Sequence, residues 1–343
     1  GPNNKLVFSP GIVTGTAAAS SGRISAGAKS PLTGGTKESN AGTPVAQMLG
    51  RLRTRAIIFE GQPEEGWWLL RVTVDGAELV SADDLKGKVT SEVNKTLFER
   101  YGDSVGIATI GPTGENLMAM AGICFSDAEG RASRYSGRGG LGAVMGSKRL
   151  KAIVVDPAKA PGVEIKDREV FRKGEAKLLE ALRTHDVTKP GGGLNTYGTD
   201  VLINVMSEAG GLPTRNFQSG SFAGANKVSG ETLAEAIASR GGVGKTGHSC
   251  HPGCVIQCSN IYPNSDGSER VSVMEYESVW ALGPNLEVDD MDDVAEMVRL
   301  CNDYGVDTIE AGVTLGVAME AGLAPFGDSK AAIQLLHEVG RAT

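Results

Sequence analysis

Three of the five cysteines, Cys250, Cys254 and Cys258, fall within nine residues in the run Ser249-CHPGCVIQC-Ser259. The run carries the Pro252-Gly253 turn pair. Thiolates this close cannot all pair with one another as disulfides, whereas a tight turn can aim all three at one point. Runs of cysteine thiolate of this kind hold iron–sulfur clusters, normally with four ligands to a cubane. Cys124 and Cys301 are the remaining candidates for a fourth ligand, and neither has a local motif. The triplet therefore hints at a ligand from outside this chain. Other readings stay open at this point. His248 and His251 could complete a zinc site, although zinc prefers two pairs of separated ligands. A radical-SAM loop has a similar spacing, with a second gap one residue shorter. Three unrelated cysteines could also simply pack as small hydrophobes.

At 343 residues the chain is long enough for two domains, and its 40% apolar share is ample for a core. A net charge of −7 argues against a nucleic-acid surface as its main business. No apolar run approaches the length of a membrane span, and no signal peptide is visible, so a cytoplasmic setting is expected. Few, clustered cysteines suit a reducing compartment. The 48 glycines are about twice the usual share. They lie in short loops between ordinary segments, which suits either a loop-rich fold or a large cofactor gripped by backbone.

The first part reads as strands joined by glycine turns. Lys5-LVF, Arg55-AIIFEG and Ser104-VGIATIG are short apolar runs bounded by breakers. Trp67–Val74 and Ala77–Ser81 predict a hairpin with Asp75-Gly76 as its two-residue turn. The run from Ser91 to Gly102 predicts a helix capped by Thr90 or Ser91. A Lys151-AIVVD strand closes this unit, and Pro157–Gly162 reads as a linker. Beyond it the pattern turns helical, over Phe171–Thr184 and Ser229–Ser239. Val294, Met297, Val298 and Cys301 form one apolar helix face, which places Cys301 in a core. That helix should stop at Gly305, and Asp307 to Glu310 resembles a capping box for the next. No internal repeat is visible.

Two motifs fail on context. Gly137-RGGL-Gly142 matches GxGxxG in form, but it follows the polar stretch Ser126–Ser136, which does not read as a strand. Gly244-Lys245-Thr246 ends like a phosphate-binding loop, yet Ser239 stands where its first glycine should be.

Longer blocks carry a resemblance. They are Gly15-TAAASSGRISAGAKSPLTGG-Thr36, Glu38-SNAG, Ile110-GPTGENL, Arg134-YSGRGGLGAVMGSKRLKAIVV, Leu212-PTRNFQ, the cysteine triplet, Met274-EYES and Asn302-DYGVDTIEAG. Over essentially its whole length the chain resembles the aldehyde:ferredoxin oxidoreductase family of tungsten (sometimes molybdenum) bis-pterin enzymes. The resemblance implies an α+β fold. A β-rich cofactor-binding domain, residues 1–157 and incomplete at its start, precedes a mainly helical domain, residues 163–343, that carries the cluster cysteines. It also implies that a third domain has no counterpart here; in the family that domain supplies the fourth cluster cysteine, a second pterin motif and an active-site histidine.

The resemblance assigns roles residue by residue. Arg23, Asn40 and Gly42 match positions that contact the pterin and its phosphates, and the Asn40 carbonyl matches one that helps hold a bridging magnesium. Arg134 and Tyr135 align with an Arg-Ala pair of the same grip, the tyrosine being a departure; Arg131-Ala132 is an alternative alignment. Asn302, Gly305 and Asp307 match a pterin motif that usually begins with aspartate. Cys250, Cys254 and Cys258 match three cluster ligands, although the family's usual gap between the first two is one residue shorter. Glu277 aligns with an active-site glutamate, and Glu275 stands two residues away, on the same face if the stretch is a strand.

The implied activity is oxidation of a small aldehyde or related carbonyl compound, with water, to a carboxylic acid. Electrons would leave through a [4Fe–4S] cluster to ferredoxin or a dedicated iron–sulfur subunit, in a homo- or hetero-oligomer without nucleic acid. Two rivals remain: low-potential reduction of an aromatic thioester within the same family, and a non-catalytic fragment that works only with a separate third-domain chain.

Overall fold

The computed structural model describes residues 1–342; Thr343, the last residue of the expected second domain, lies outside the described residues. The chain divides into two compact units. The first comprises Gly1–Ala181, Cys250–Val255 and Asn302–Asp307, and the second holds Leu182–Ser249, Ile256–Cys301 and the described residues from Thr308 onward.

The first unit is built on two sheets. Strands β1 (Leu6–Pro10), β2 (Arg23–Lys29), β3 (Thr36–Gly42) and β4 (Ile57–Phe59) form an antiparallel sheet in the order β3-β2-β1-β4, with helix α1 (Pro44–Arg51) between β3 and β4 in the chain. Thr43 caps α1 by accepting from the Val45 N–H at 3.2 Å, and Pro44 takes the first helical position. In β2 Ile24, Ala26 and Ala28 are buried while Arg23, Ser25, Gly27 and Lys29 occupy the opposite face. That alternation leaves one polar, small-residue face free of the core.

The second sheet comprises β5 (Trp68–Thr73), β6 (Gly76–Ser81), β7 (Gly106–Thr109), β8 (Ile123–Ser126), β9 (Ala132–Ser136) and β10 (Leu150–Val155), in the order β6-β5-β10-β7-β8-β9. Helices α2 (Thr90–Tyr101), α3 (Pro112–Glu115) and α4 (Leu141–Ser147) lie between these strands in the chain. Every residue of β10 is buried. One core joins Leu6, Phe8 and Ile24 of the first sheet to Phe125, Ile153 and Val155 of the second. A second core packs Val93 and Leu97 of α2 against Leu69, Ile107 and Val154. The glycines of the RGGLGAVMG block serve packing: a Cβ on Gly146 would lie 1.9 Å from the Gly114 carbonyl oxygen. Backbone contact this close excludes any side chain at that position.

Helix α5 (Arg168–Thr184) follows and buries none of its residues. Later come α6 (Gly193–Tyr197), a 3-10 turn over Gly198–Val201, α7 (Leu202–Glu208) and α8 (Gly230–Arg240). A small sheet of β11 (Lys245–His248), β12 (Ser259–Pro263) and β13 (Glu269–Val271) precedes α9 (Tyr276–Leu282), α10 (Met291–Tyr304), α11 (Thr308–Glu320) and α12 (Ser329–Arg341). Architecture is therefore α+β, β-rich first and helical after. Among the described residues no helix is long and apolar enough to cross a membrane.

Four sequence expectations need correction. The hairpin pairs Thr73 with Gly76, so its loop is Val74-Asp75 and Gly76 opens β6 at φ +136°. Helix α2 starts one residue earlier than expected; Glu92 accepts from the Val89 N–H, and the Thr90 hydroxyl turns to the Asn302 carbonyl instead of capping. A strand, β9, does precede the GxGxxG match, built from buried polar Ser133, Arg134 and Ser136 that hydropathy hides. It pairs antiparallel with β8 and does not neighbour β10, so the dinucleotide reading still fails. Glu275 and Glu277 do not share a strand: Glu275 is extended at the N-cap of α9 and Glu277 lies in its first turn.

Within buried β10, Lys151 is fully enclosed, its ammonium 2.5 Å from Glu115 Oε1. It also donates to the Lys88 and Ile110 carbonyls, while Glu115 takes the Gly87 N–H. Removing one partner strands a buried charge. Glu115→Gln is expected to cost about 3–5 kcal/mol of stability, read from the denaturant midpoint.

Candidate functional site

Antiparallel pairing in the first unit sets Arg23 opposite Gly42 and Ser25 opposite Asn40. Arg23 and Asn40 are thus diagonal neighbours on the polar face. Arg23 Nε donates to Asn40 Oδ1, and Asn40 Nδ2 donates to Ser25 Oγ at 3.2 Å. The bonds orient the guanidinium fork without a counter-charge. Such a fork suits phosphate and pterin oxygens.

The segment Cys250–Val255 packs on the end of this face. Gln47 Nε2 donates to the Pro252 carbonyl at 2.6 Å, and the Ser20 N–H donates to the Gly253 carbonyl at 2.9 Å. A Cβ on Gly42 would lie 2.8 Å from Cys250 Sγ and 3.4 Å from an Arg23 guanidinium nitrogen. Gly42 therefore brings a thiol and the arginine fork to one point. Cys250, His251 and Cys254 form a metal-competent group, their ligand atoms all within 4.8 Å of one another. His251 Nδ1 lies 2.8 Å from the Pro252 carbonyl, which favours the proton on that nitrogen. The thiols fit a thiophilic metal or cluster; the imidazole keeps zinc chemically possible. Cys258 belongs to the second unit. The fourth-ligand candidates are both fully buried. Cys124, on β8, has its thiol pushed up to about 12 by burial.

Asn302–Asp307 belongs to the first unit too. Gly122 N–H donates to the Gly305 carbonyl at 2.9 Å and Asp307 N–H to the Met120 carbonyl at 3.0 Å. Thr113 Oγ1 donates to the Tyr304 carbonyl at 2.7 Å. Gly305 ends α10 at φ +78°. The Tyr135 hydroxyl donates to the Asn302 carbonyl, and burial beside Cys124 pushes that phenol up, keeping it a donor. Arg134, adjacent on β9, is buried. Tyr135 thus acts through its hydroxyl, a role that alignment to an alanine hides.

The second unit gathers the carboxylates. Thr199 Oγ1 donates to Glu275 Oε2 at 2.7 Å and accepts from the Tyr276 N–H at 2.9 Å. One hydroxyl thereby satisfies a free N–H of α9's first turn and fixes Glu275. Ser259 Oγ lies 3.5 Å from Glu275 Oε1. Glu277 is half-buried in that first turn. Asp200, beside Thr199, is fully buried and carries no signal in the sequence beyond its glycine-flanked turn.

The N-terminal domain of aldehyde ferredoxin oxidoreductase matches residues 1–157, and domains 2 and 3 of that enzyme match residues 173–343. The chain belongs to the aldehyde ferredoxin oxidoreductase family. The tungsten-containing aldehyde ferredoxin oxidoreductase of Thermococcus kodakarensis is 39% identical over 323 residues, covering 93% of this chain and 50% of that protein. Its counterpart in Pyrococcus abyssi is 41% identical over 320 residues, with the same coverage. The aliphatic sulfonate oxidoreductase, WOR-like subunit, of Pyrococcus furiosus is 26% identical over 368 residues, 98% of this chain and 55% of that one. The chain spans about half the length of the curated relatives it matches. The solved active site complex BamBC of benzoyl coenzyme A reductase in complex with 1,5-dienoyl-CoA shares the fold, with a TM-score of 0.77 at 21% identity. That match covers 98% of this chain and 52% of the solved one.

In this aldehyde ferredoxin oxidoreductase family member, Tyr135→Phe removes one hydrogen bond without opening a cavity. Stability is expected to fall by about 1 kcal/mol, seen as a lower urea midpoint at unchanged slope. In metal-free reduced protein, alkylation should mark half-buried Cys250 and Cys258 before buried Cys124, Cys254 and Cys301. Peptide mass spectrometry reads that order.

Proposed function

We propose that this chain forms part of a tungsten (or molybdenum) bis-pterin oxidoreductase that converts an aldehyde to a carboxylic acid. The observation that carries the reading is the packing of Cys250 and the Arg23 fork on Gly42, at the end of the polar face of the first sheet. When bound, the bis-pterin metal supplies two-electron redox chemistry and a [4Fe–4S] cluster passes electrons onward singly. Arg23, Asn40 and buried Arg134 would hold the pterin and its phosphates, with magnesium at the Asn40 carbonyl. Asn302 and Asp307 would hold pterin nitrogens, their backbone fixed by Tyr135 and Met120. Cys250, Cys254 and Cys258 would supply thiolates to the cluster. Glu277 would take a proton at its carboxylate as water adds to the aldehyde, with Glu275 beside it held by Thr199. Ferredoxin or a dedicated iron–sulfur subunit would be the electron acceptor.

A second reading is low-potential reduction of an aromatic thioester. It is favoured by the fold shared with the benzoyl coenzyme A reductase complex.

The test is metal analysis with reduced-state electron paramagnetic resonance on protein purified anaerobically from its source, partner chains retained. Tungsten or molybdenum with about four irons per chain supports the proposal. Zinc alone overturns it. Viologen-coupled assays with aldehydes and with aryl thioesters then separate the two readings. Gly42→Leu is expected to displace Cys250 and lower iron content severalfold, by the same metal analysis.

A further inference from the structure

The second unit contains a buried acid that the proposed chemistry leaves unused. Asp200 lies in the 3-10 turn Gly198–Val201, is 0% exposed, and neither carboxyl oxygen has a hydrogen-bond partner among the described residues. The turn is enclosed by backbone. A Cβ on Gly230, the first residue of α8, would lie 2.9 Å from the Asp200 carbonyl carbon, and one on Gly198 would lie 3.0 Å from the Cys258 carbonyl oxygen. An ionised carboxylate without donors in such a place is strongly disfavoured.

Its surroundings make ionisation harder still. Thr199, the preceding residue, ties the turn to Glu275 and to the start of α9. Of the titratable groups on the packed elements, Arg240 of α8 is paired with Asp292, which also binds Tyr262 of β12. Glu231 of α8 takes the Asn204 amide, while Glu235 of α8 and Glu208 of α7 are exposed. Tyr197 of α6 contributes a phenol, and burial pushes the Tyr276 phenol of α9 up. The charges that bear on Asp200 are those of Glu275 and Glu277, both negative.

We propose that Asp200 is a positioning residue that holds one proton within the Glu275–Glu277 carboxyl group, standing as the neutral acid while the glutamates are ionised. Burial pushes its carboxyl well above the usual carboxylate range, and the two glutamates push it further. Its neutrality keeps a third negative charge away from Glu275 and Glu277. Ionisation of Asp200 at high pH would place that charge beside the two glutamates. Folded protein then binds a proton that the unfolded chain has lost, so stability falls as pH rises above the ordinary aspartate value toward the raised one. The role in turnover rests on the proposed part of Glu277; the protonation itself does not.

The test is infrared difference spectroscopy on the anaerobically purified holoprotein, comparing wild type with Asp200→Asn, Glu277→Gln and Glu275→Gln. At neutral pH the wild type should show the carbonyl stretch of a neutral carboxylic acid, lost on alkaline titration and missing in Asp200→Asn. Either glutamine variant should keep the band and lower its titration midpoint, which tests the coupling even if Asp200→Asn fails to fold. Asp200→Asn should also extend the alkaline limb of the activity profile and flatten the dependence of stability on pH. No such band in wild type, the same band in Asp200→Asn, or a midpoint indifferent to both glutamine variants overturns the proposal. The band in protein without aldehyde activity supports it while removing the aldehyde reading.

Discussion

Backbone contact without intervening side chains is the constraint on which the first unit depends. A Cβ on Gly111 would lie 2.2 Å from the Tyr304 carbonyl oxygen, and one on Gly42 would lie 2.8 Å from Cys250 Sγ. Both contacts join a glycine of the β-rich region to a segment that arrives much later in the chain. The glycine content is therefore a packing requirement at these positions, in addition to any close approach to a ligand. Hydrogen bonds then hold the late segments in place: Gly122 to Gly305, Met120 to Asp307, Gln47 to Pro252.

These contacts gather separate motifs into the first unit. Arg23 and Asn40 come from paired strands, Cys250 from the cysteine loop, and Asn302 from the end of a helix. Arg23 is oriented by an amide, not a carboxylate, so its positive charge stays available to an anion. Tyr135 shows how such an arrangement tolerates sequence change. Its phenol reaches the Asn302 carbonyl from β9 and supports that segment through the hydroxyl.

The second unit solves a different electrostatic problem. Glu275 takes hydroxyls from Thr199 and Ser259, whereas Asp200, on which Glu275 and Glu277 both bear electrostatically, is enclosed without a donor. The donor count decides which acid is charged: a carboxylate with donors can ionise, and one enclosed without them keeps its proton. By contrast, the buried Lys151–Glu115 pair in the first unit is fully supplied with partners and reads as structural.

Local pattern determined much of this protein. Alternating apolar residues marked the strands, the period of Val294, Met297 and Cys301 marked α10, and the ordered blocks with the cysteine triplet marked the family. Polar strands escaped notice, because Ser133 and Ser136 of β9 and the polar β3 are held by pairing and not by hydropathy. The strand expected at Glu275 and Glu277 failed because Thr199, far away in sequence, supplies the hydrogen bonds that start a helix there. Only tertiary structure could bring Cys250 against Gly42, Tyr135 to Asn302 and Asp200 beside two glutamates. Each of these pairs joins residues far apart in the chain, and their chemistry depends on distance and burial, which no local spacing encodes.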